Sequence, residues 1–257
     1  MKMKFQYIAL LSVLVALGSG AIVNAQMTGN PVGSNGTGEW TVSAMGTYMT
    51  QQLGNGTSVS RRVLLKSLWG VSPWLDVYCL GGGVQLEMKT NDTNVTDYKG
   101  KYRFAYGLGL NVHLVSPQTG GFGIWFGGQA LRFPSEGSFF EHQELYSKEF
   151  QMVYDWREFQ GCVGVVFPFR FMRVYLAGVL WAVQRWDTKQ EYLTTEYSKN
   201  LIGKVHAEYR SGVWTGGNVG VEFYLPQEYS VSVEILLFNE ENYHVMIGLG
   251  QKGRFDW

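Results

Sequence analysis

Hydrophobic side chains alternate with small or polar ones along most of this chain beyond its first forty residues. The run at 102–114 shows the rule most clearly. Its even positions are Tyr102, Phe104, Tyr106, Leu108, Leu110, Val112 and Leu114, and its odd positions are Arg103, Ala105, Gly107, Gly109, Asn111 and His113. Successive side chains of a strand point to opposite faces, so the pattern predicts a strand with one apolar and one polar face. A helix would scatter the same apolar residues around its circumference. The run is also longer than the usual globular strand and close to the length that crosses a bilayer at a tilt.

The same reading predicts ten strands, at 39–51, 61–71, 74–88, 101–115, 121–133, 150–167, 170–186, 211–225, 229–238 and 242–251. The connections between them sort by length. Tight ones centre on Pro73, Pro117, Pro168 and Pro226, and a proline fixes a turn while being unable to continue a ladder. Those at 53–60, 90–100, 134–149 and 187–210 are longer and polar, and only the last, around Asn239, is short on that side. Short turns alternating with long loops predict an up-and-down antiparallel transmembrane β-barrel of about ten strands, with eight as the alternative.

Face assignments agree with a membrane on six of the strands. Outward parity collects Trp40, Val42, Ala44 and Tyr48, then Val63, Leu65 and Trp69, then Phe122, Ile124 and Phe126. On the later strands it collects Val219, Val221 and Phe223, then Val231, Val233 and Ile235, then Val245, Ile247 and Leu249. Only Arg61 and Arg132 bring charge to that face, both at loop-side ends, where a long side chain reaches water. Aromatic residues gather at two depths. Trp40, Trp69, Phe122, Phe167 and Phe223 mark the turn side, and Tyr48, Tyr102, Tyr154 and Tyr243 the loop side, as interfacial girdles do.

Three strands break the alternation. At 74–88 the apolar parity changes across Gly81-Gly82-Gly83, which predicts a bulge or kink. The strand at 150–167 slips in the same way near Arg157 and Glu158, and the one at 170–186 is apolar on both parities, leaving its facing undecided.

Composition narrows the function classes. Lys+Arg and Asp+Glu are equal at 21 each, so no net field draws nucleic acid. Aromatics make up 15% of the chain and there are 33 glycines, while the overall hydrophobic content of 46% is ordinary, as expected when apolar residues are hidden in alternation. At the start, Lys2 and Lys4 precede an apolar run and a small-x-small exit at Val23-Asn24-Ala25. That order predicts a signal peptide over 1–25, followed by a Gly/Asn-rich lead-in at 26–38 and a barrel domain at 39–257. Cys79 and Cys162 lie on separate strands and are expected as free thiols.

The chain resembles the outer-membrane β-barrel proteins of Gram-negative bacteria. Leu68-Trp69-Gly70-Val71-Ser72-Pro73-Trp74-Leu75-Asp76-Val77 is similar to their periplasmic hairpins, and Gly253-Arg254-Phe255-Asp256-Trp257 to their aromatic-terminated assembly signal. Gln251 and Gly253 depart from that pattern by standing where apolar residues are usual. The resemblance implies the cell outer membrane as location, membrane lipid and the barrel assembly machinery as partners, and a monomer. It transfers no functional site.

Candidate chemistry is sparse. The four histidines have no metal-ligand spacing, and neither a phosphate loop nor a nucleophile elbow is present, so no metal, cofactor or catalytic residue is expected. The inward-parity groups Lys66, Arg103, His113, Glu222, Glu234 and His244 are the lumen-facing candidates. In a barrel this small a lumen filled by side chains is expected, with a surface-exposed structural or loop-mediated binding role. A narrow pore for small solutes is the alternative. A third reading is a rim hydrolase built from Asp155, Asp187, His142 and His206, since Asp–His pairs can activate water.

Overall fold

The computed structural model describes residues 36–53, 56–90, 94–115, 121–142, 147–195, 198–210, 212–238 and 242–254. The signal peptide, most of the lead-in, the Pro117 turn and the terminal Phe255–Trp257 lie outside the described residues. Strands dominate: β1 (Glu39–Leu53), β2 (Gly56–Ser72), β3 (Leu75–Thr90), β4 (Tyr98–Gly100), β5 (Arg103–Val115) and β6 (Gly123–His142). They continue as β7 (Ser147–Pro168), β8 (Met172–Thr195), β9 (Ser198–Arg210), β10 (Trp214–Leu225), β11 (Tyr229–Leu237) and β12 (Tyr243–Arg254).

Each strand pairs antiparallel with its neighbours, and β12 returns to β1 with Trp40 opposite Gly253 and Thr50 opposite Tyr243, closing the ring. The short β4 and β5 share one position between β3 and β6, and β9 and β10 are both borne on β8, so the ring has ten positions. Closure satisfies every strand edge within the hydrocarbon, which is why a spanning sheet must close.

The alternation sorts side chains as the membrane demands. Leu108 is 70% exposed, while Ala105 on the opposite parity of the same strand is wholly buried. From Trp69 to Arg61, from Trp40 to Tyr48 and from Phe167 to Phe159, the outward apolar run covers eight residue steps. That is about 26 Å along a strand, matching an apolar band tilted across a bilayer.

Strand lengths are uneven. β6, β7 and β8 hold 20, 22 and 24 residues, against 9 in β11 and 12 in β10 and β12. The surplus lies on the loop side. β8 runs from Gln184 to Thr195 beyond the belt, roughly 35 Å along the strand, paired with β7 as far as Thr194 and with β9 across one register shift at Glu191/Tyr192.

Neither expected bulge is present. β2 and β3 stay in register through Val63–Gly83, Leu64–Gly82 and Leu65–Gly81, and β6 and β7 stay in register through Leu131–Glu158 and Arg132–Arg157. Inward parity is constant along β3 and includes Asp76, Tyr78, Leu80, Val84 and Leu86. The apolar parity changes because the strand leaves the membrane: outside, Gln85 donates to the Gly100 carbonyl and Glu87 pairs with Arg61, and inside, Val84 and Leu86 meet other apolar groups. Tyr154, expected in the outer girdle, points inward and is buried for the same reason. The parity of the ring position does change between β4, where Tyr98 and Gly100 are buried, and β5, where the odd residues are. β8 resolves with odd residues inward: Arg173, Tyr175, Val179, Trp181 and Val183.

Candidate functional site

Three tiers fill the interior. At the turn end is a cavity of about 440 Å³ lined by Glu39, Lys66, Arg173, Glu222, Glu228 and Lys252 among others. Arg173 is ion-paired with Glu222 opposite it on the neighbouring strand, and Lys252 Nζ is 2.6 Å from Glu39 Oε2.

Above the cavity comes a polar tier. His113 Nε2 and Asp76 Oδ2 are 2.9 Å apart, both buried. Tyr175 of β8 donates to Glu234 of β11 at 2.9 Å, and Asn218 Nδ2 donates to the other oxygen of that carboxylate. Lys66 Nζ lies 4.0 Å from the centre of the Tyr78 ring, whose hydroxyl donates to Gln129 of β6. Two glycines make this tier possible. A Cβ at Gly109 would collide with the Tyr78 ring and one at Gly220 with the Tyr175 ring, so each tyrosine lies flat across the strand beside it. The alternation of large and small inward residues across strands is the packing that a narrow barrel requires.

The third tier is apolar. Met45, Met49, Leu64, Leu86, Phe133, Trp156, Trp181 and Met246 form one buried cluster. Within it, Arg62 of β2 donates to both oxygens of Glu158 on β7, at 2.7 and 2.5 Å. β2 and β7 are four places apart around the ring, so this bidentate pair bridges the lumen. Trp156 Nε1 donates to Glu158 at 2.7 Å, and the Arg62 guanidinium lies 5.4 Å from the Phe133 ring centre. His244 is fully buried, edge-on to Trp181 and Phe238 at 5.1 and 5.4 Å.

Of the six lumen-facing candidates, Lys66, His113, Glu222, Glu234 and His244 are thus buried inside the ring. Arg103 stands apart: its side chain is 36% exposed and ion-paired with Glu136, itself 45% exposed. It is the first residue of β5, just past the parity change, and is drawn to a solvent-facing carboxylate. Sequence reasoning missed Arg62, Asp76, Glu158 and Arg173. Glu158 fell at the supposed slip, and Arg173 on the strand of undecided facing. Arg62 and Asp76 were legible from parity, since they share a face with Lys66 and Tyr78.

Beyond the third tier, the inner face of the extension carries a second constellation. Arg185 lies 5.0 Å from the ring centres of both Tyr154 and Tyr209 and donates to Asp187 at 2.6 Å. Burial raises the Asp187 carboxyl above its ordinary range despite the nearby Arg185. Lys189 Nζ is 3.9 Å from the Phe150 ring centre, and Phe150 stacks on Phe139. The face is therefore aromatic and carries charges of both signs, with Asp187 and Glu191 beside the cations.

Of the residues of the hydrolase reading, Asp155, Asp187 and His206 do not converge. Asp155 is held on the outer face by Arg132 and Arg157, whereas Asp187 pairs with Arg185 on the inner face. His206 Nδ1 is 3.1 Å from Thr188 Oγ1, and the side chain of His142 lies outside the described residues. Cys79 and Cys162 are both free thiols. Among the described residues no group of three His, Cys, Asp or Glu is placed to hold a metal.

No protein-family model matches this chain, and no curated protein matches it in sequence. Solved structures do resemble it. The translocator domain of the autotransporter NalP from Neisseria meningitidis superposes with a TM-score of 0.52 at 9% identity, covering 99% of this chain and 97% of that one. Looser overlaps, with TM-scores of 0.46 and 0.42, are found with the outer membrane protease OmpT and the transport unit of the autotransporter AIDA-I, both from Escherichia coli. Identities are 12% and 9%; coverage is 84% of this chain and 96% of the protease, and 87% and 92% for the transport unit. What the NalP domain shares with this chain at 9% identity is the fold, and that fold, with its lipid-facing belt, makes this chain an outer-membrane β-barrel.

Proposed function

We propose that this protein is a non-conducting barrel that acts at its loop side, binding a partner through the sheet that β6–β9 raise above the membrane. The observation that carries the reading is the Arg62–Glu158 pair. It spans the lumen and is enclosed by Trp156, Phe133 and Met49, leaving the cavity at the turn end blind. Above the belt, β9 leaves Leu201, Ile202 and Val205 exposed beside Lys199 and Lys204, which gives a partner both apolar area and charge. Barrel assembly machinery reading the terminal Phe255–Trp257, and function as a monomer, complete the proposal; the closed ring offers no strand edge within the belt for a second copy.

Planar-bilayer recording tests it. The folded protein is expected to give no unitary currents, and steady conductance would reject the sealed lumen. A narrow pore is the second reading, favoured by the charged 440 Å³ cavity, and it requires the third tier to move aside.

A further inference from the structure

One row of outward side chains at the loop-side edge of the belt is unlike the surface below it. Arg132 of β6 stands opposite Arg157 of β7, Arg157 opposite Gln184 of β8, and Gln184 opposite Arg210 of β9. Opposed residues of neighbouring antiparallel strands share a face, and strands lie about 4.8 Å apart. Three guanidinium groups therefore line up across four strands over roughly 15 Å. The row directly beneath is Ala130, Phe159 and Ala182; the row directly above includes Asp155, Trp186 and Glu208. The three arginine side chains are 47%, 36% and 71% exposed.

Their positions are fixed. Asp155 accepts from Arg132 Nε and Nη2 at 2.8 and 2.9 Å and from Arg157 Nη2 at 3.1 Å. The Arg157 guanidinium lies 4.0 Å from the Trp186 ring centre, and Glu208 accepts from Arg210 at 2.8 Å and from Gln184 at 2.9 Å. Two carboxylates against three guanidiniums leave a net positive charge. A guanidinium has five N–H donors, so these bonds do not exhaust its capacity.

We propose that this row binds the phosphate-bearing headgroup of a lipid in the loop-side leaflet, with the acyl chains against Phe159 and Ala182. A guanidinium fork matches phosphate oxygens with two parallel hydrogen bonds, which an ammonium does not. The row sits where the outward surface changes from apolar to charged, the depth of a lipid's phosphates, and Trp186 there has the amphipathic ring that favours this interface. Asp155 and Glu208 hold the arginines ready, so less side-chain freedom is lost on binding. A free anion would find the same donors but make no use of the apolar shelf beneath them.

The test uses the full barrel in uncharged detergent, with retained lipid counted by native mass spectrometry. Its probes are bis-phosphorylated lipid A, the same lipid dephosphorylated, and inorganic phosphate as competitor. Wild type is expected to keep one phosphorylated lipid, to bind the dephosphorylated form at least ten-fold more weakly, and to resist millimolar phosphate. R132Q/R157Q/R210Q should lose at least ten-fold in affinity, whereas Arg170→Gln, at an exposed turn-side position, should lose nothing. The charge-conserving R132K/R157K/R210K should fall about three-fold, and it stands in should the glutamine variant fail to fold. Undiminished binding by both triple variants, equal binding of the dephosphorylated lipid, or displacement by inorganic phosphate would overturn the assignment.

Discussion

β7 carries two opposite arrangements on a single strand. Toward the turn, Phe159, Val163 and Phe167 face outward and are exposed, while Glu158 and Gln160 are buried within. Toward the loop, Asp155 and Arg157 face outward, while Met152, Tyr154 and Trp156 are buried within. The backbone does not change between these halves; the solvent does. In the belt the outside is hydrocarbon, so polar groups turn inward and satisfy one another, as in the His113–Asp76 and Tyr175–Glu234 contacts. Beyond the belt the outside is water, and the same ring packs an ordinary apolar core.

The buried pair between the halves offers the hardest test of this difference. Glu158→Ala leaves Arg62 charged in the apolar tier and should cost about 3–5 kcal/mol by urea unfolding in micelles. Replacing both partners by methionine should restore most of that loss, since the tier is otherwise apolar. A double variant as weak as the single one would mean that the pair, and not the surrounding packing, holds this level together.

A charge on the outer face should then report depth. Leu108→Arg, in the belt, should cost about 2–4 kcal/mol of folding into lipid, whereas Val153→Arg, outward on β7 but above the belt, should cost close to nothing. Equal costs would erase the boundary drawn at Arg132 and Arg157.

The turn-end cavity makes Glu222 a milder case. Glu222→Gln takes the charged partner from Arg173 beside a solvent-accessible space, so the expected loss is about 1–2 kcal/mol with conductance still absent. Altered ion selectivity with unchanged stability would favour the pore.

The smallest effect belongs to the extension. Hydrogen bonding from Lys199 holds the Glu149 carboxyl below its ordinary 4.5, outweighing partial burial. A lowered folded-state value means the stabilisation is present above pH 4.5 and lost as pH falls through the folded value. Hydrogen exchange across β7–β9 should accelerate in that acid range while the belt strands stay protected. Lys199→Met should abolish the difference.

Much of the fold was legible because a bilayer enforces alternation, and 102–114 obeys it almost without exception. The apparent slips at Gly81–Gly83 and at Arg157–Glu158 misled because alternation states which side is apolar, not which solvent lies on it. The interior was less legible. Parity placed Lys66, Glu222 and Glu234 inside, but Arg62–Glu158 joins residues from opposite walls, and no local pattern encodes which wall faces which. The tyrosine–glycine pairs were hidden for a related reason, since Gly109 and Gly220 acquire meaning only from the ring on the next strand.

Trp40 and Gly253 repeat that pairing at the seam of the ring, where a Cβ on Gly253 would strike the indole. The two residues sit near opposite ends of the chain and oppose each other only when β12 meets β1. The glycine that departs from the aromatic-and-aliphatic assembly signal is therefore a keyhole, shaped for a key delivered by the first strand. Any side chain at 253 would meet that indole in this register, so the glycine lets β1 and β12 close with the ring laid across the seam.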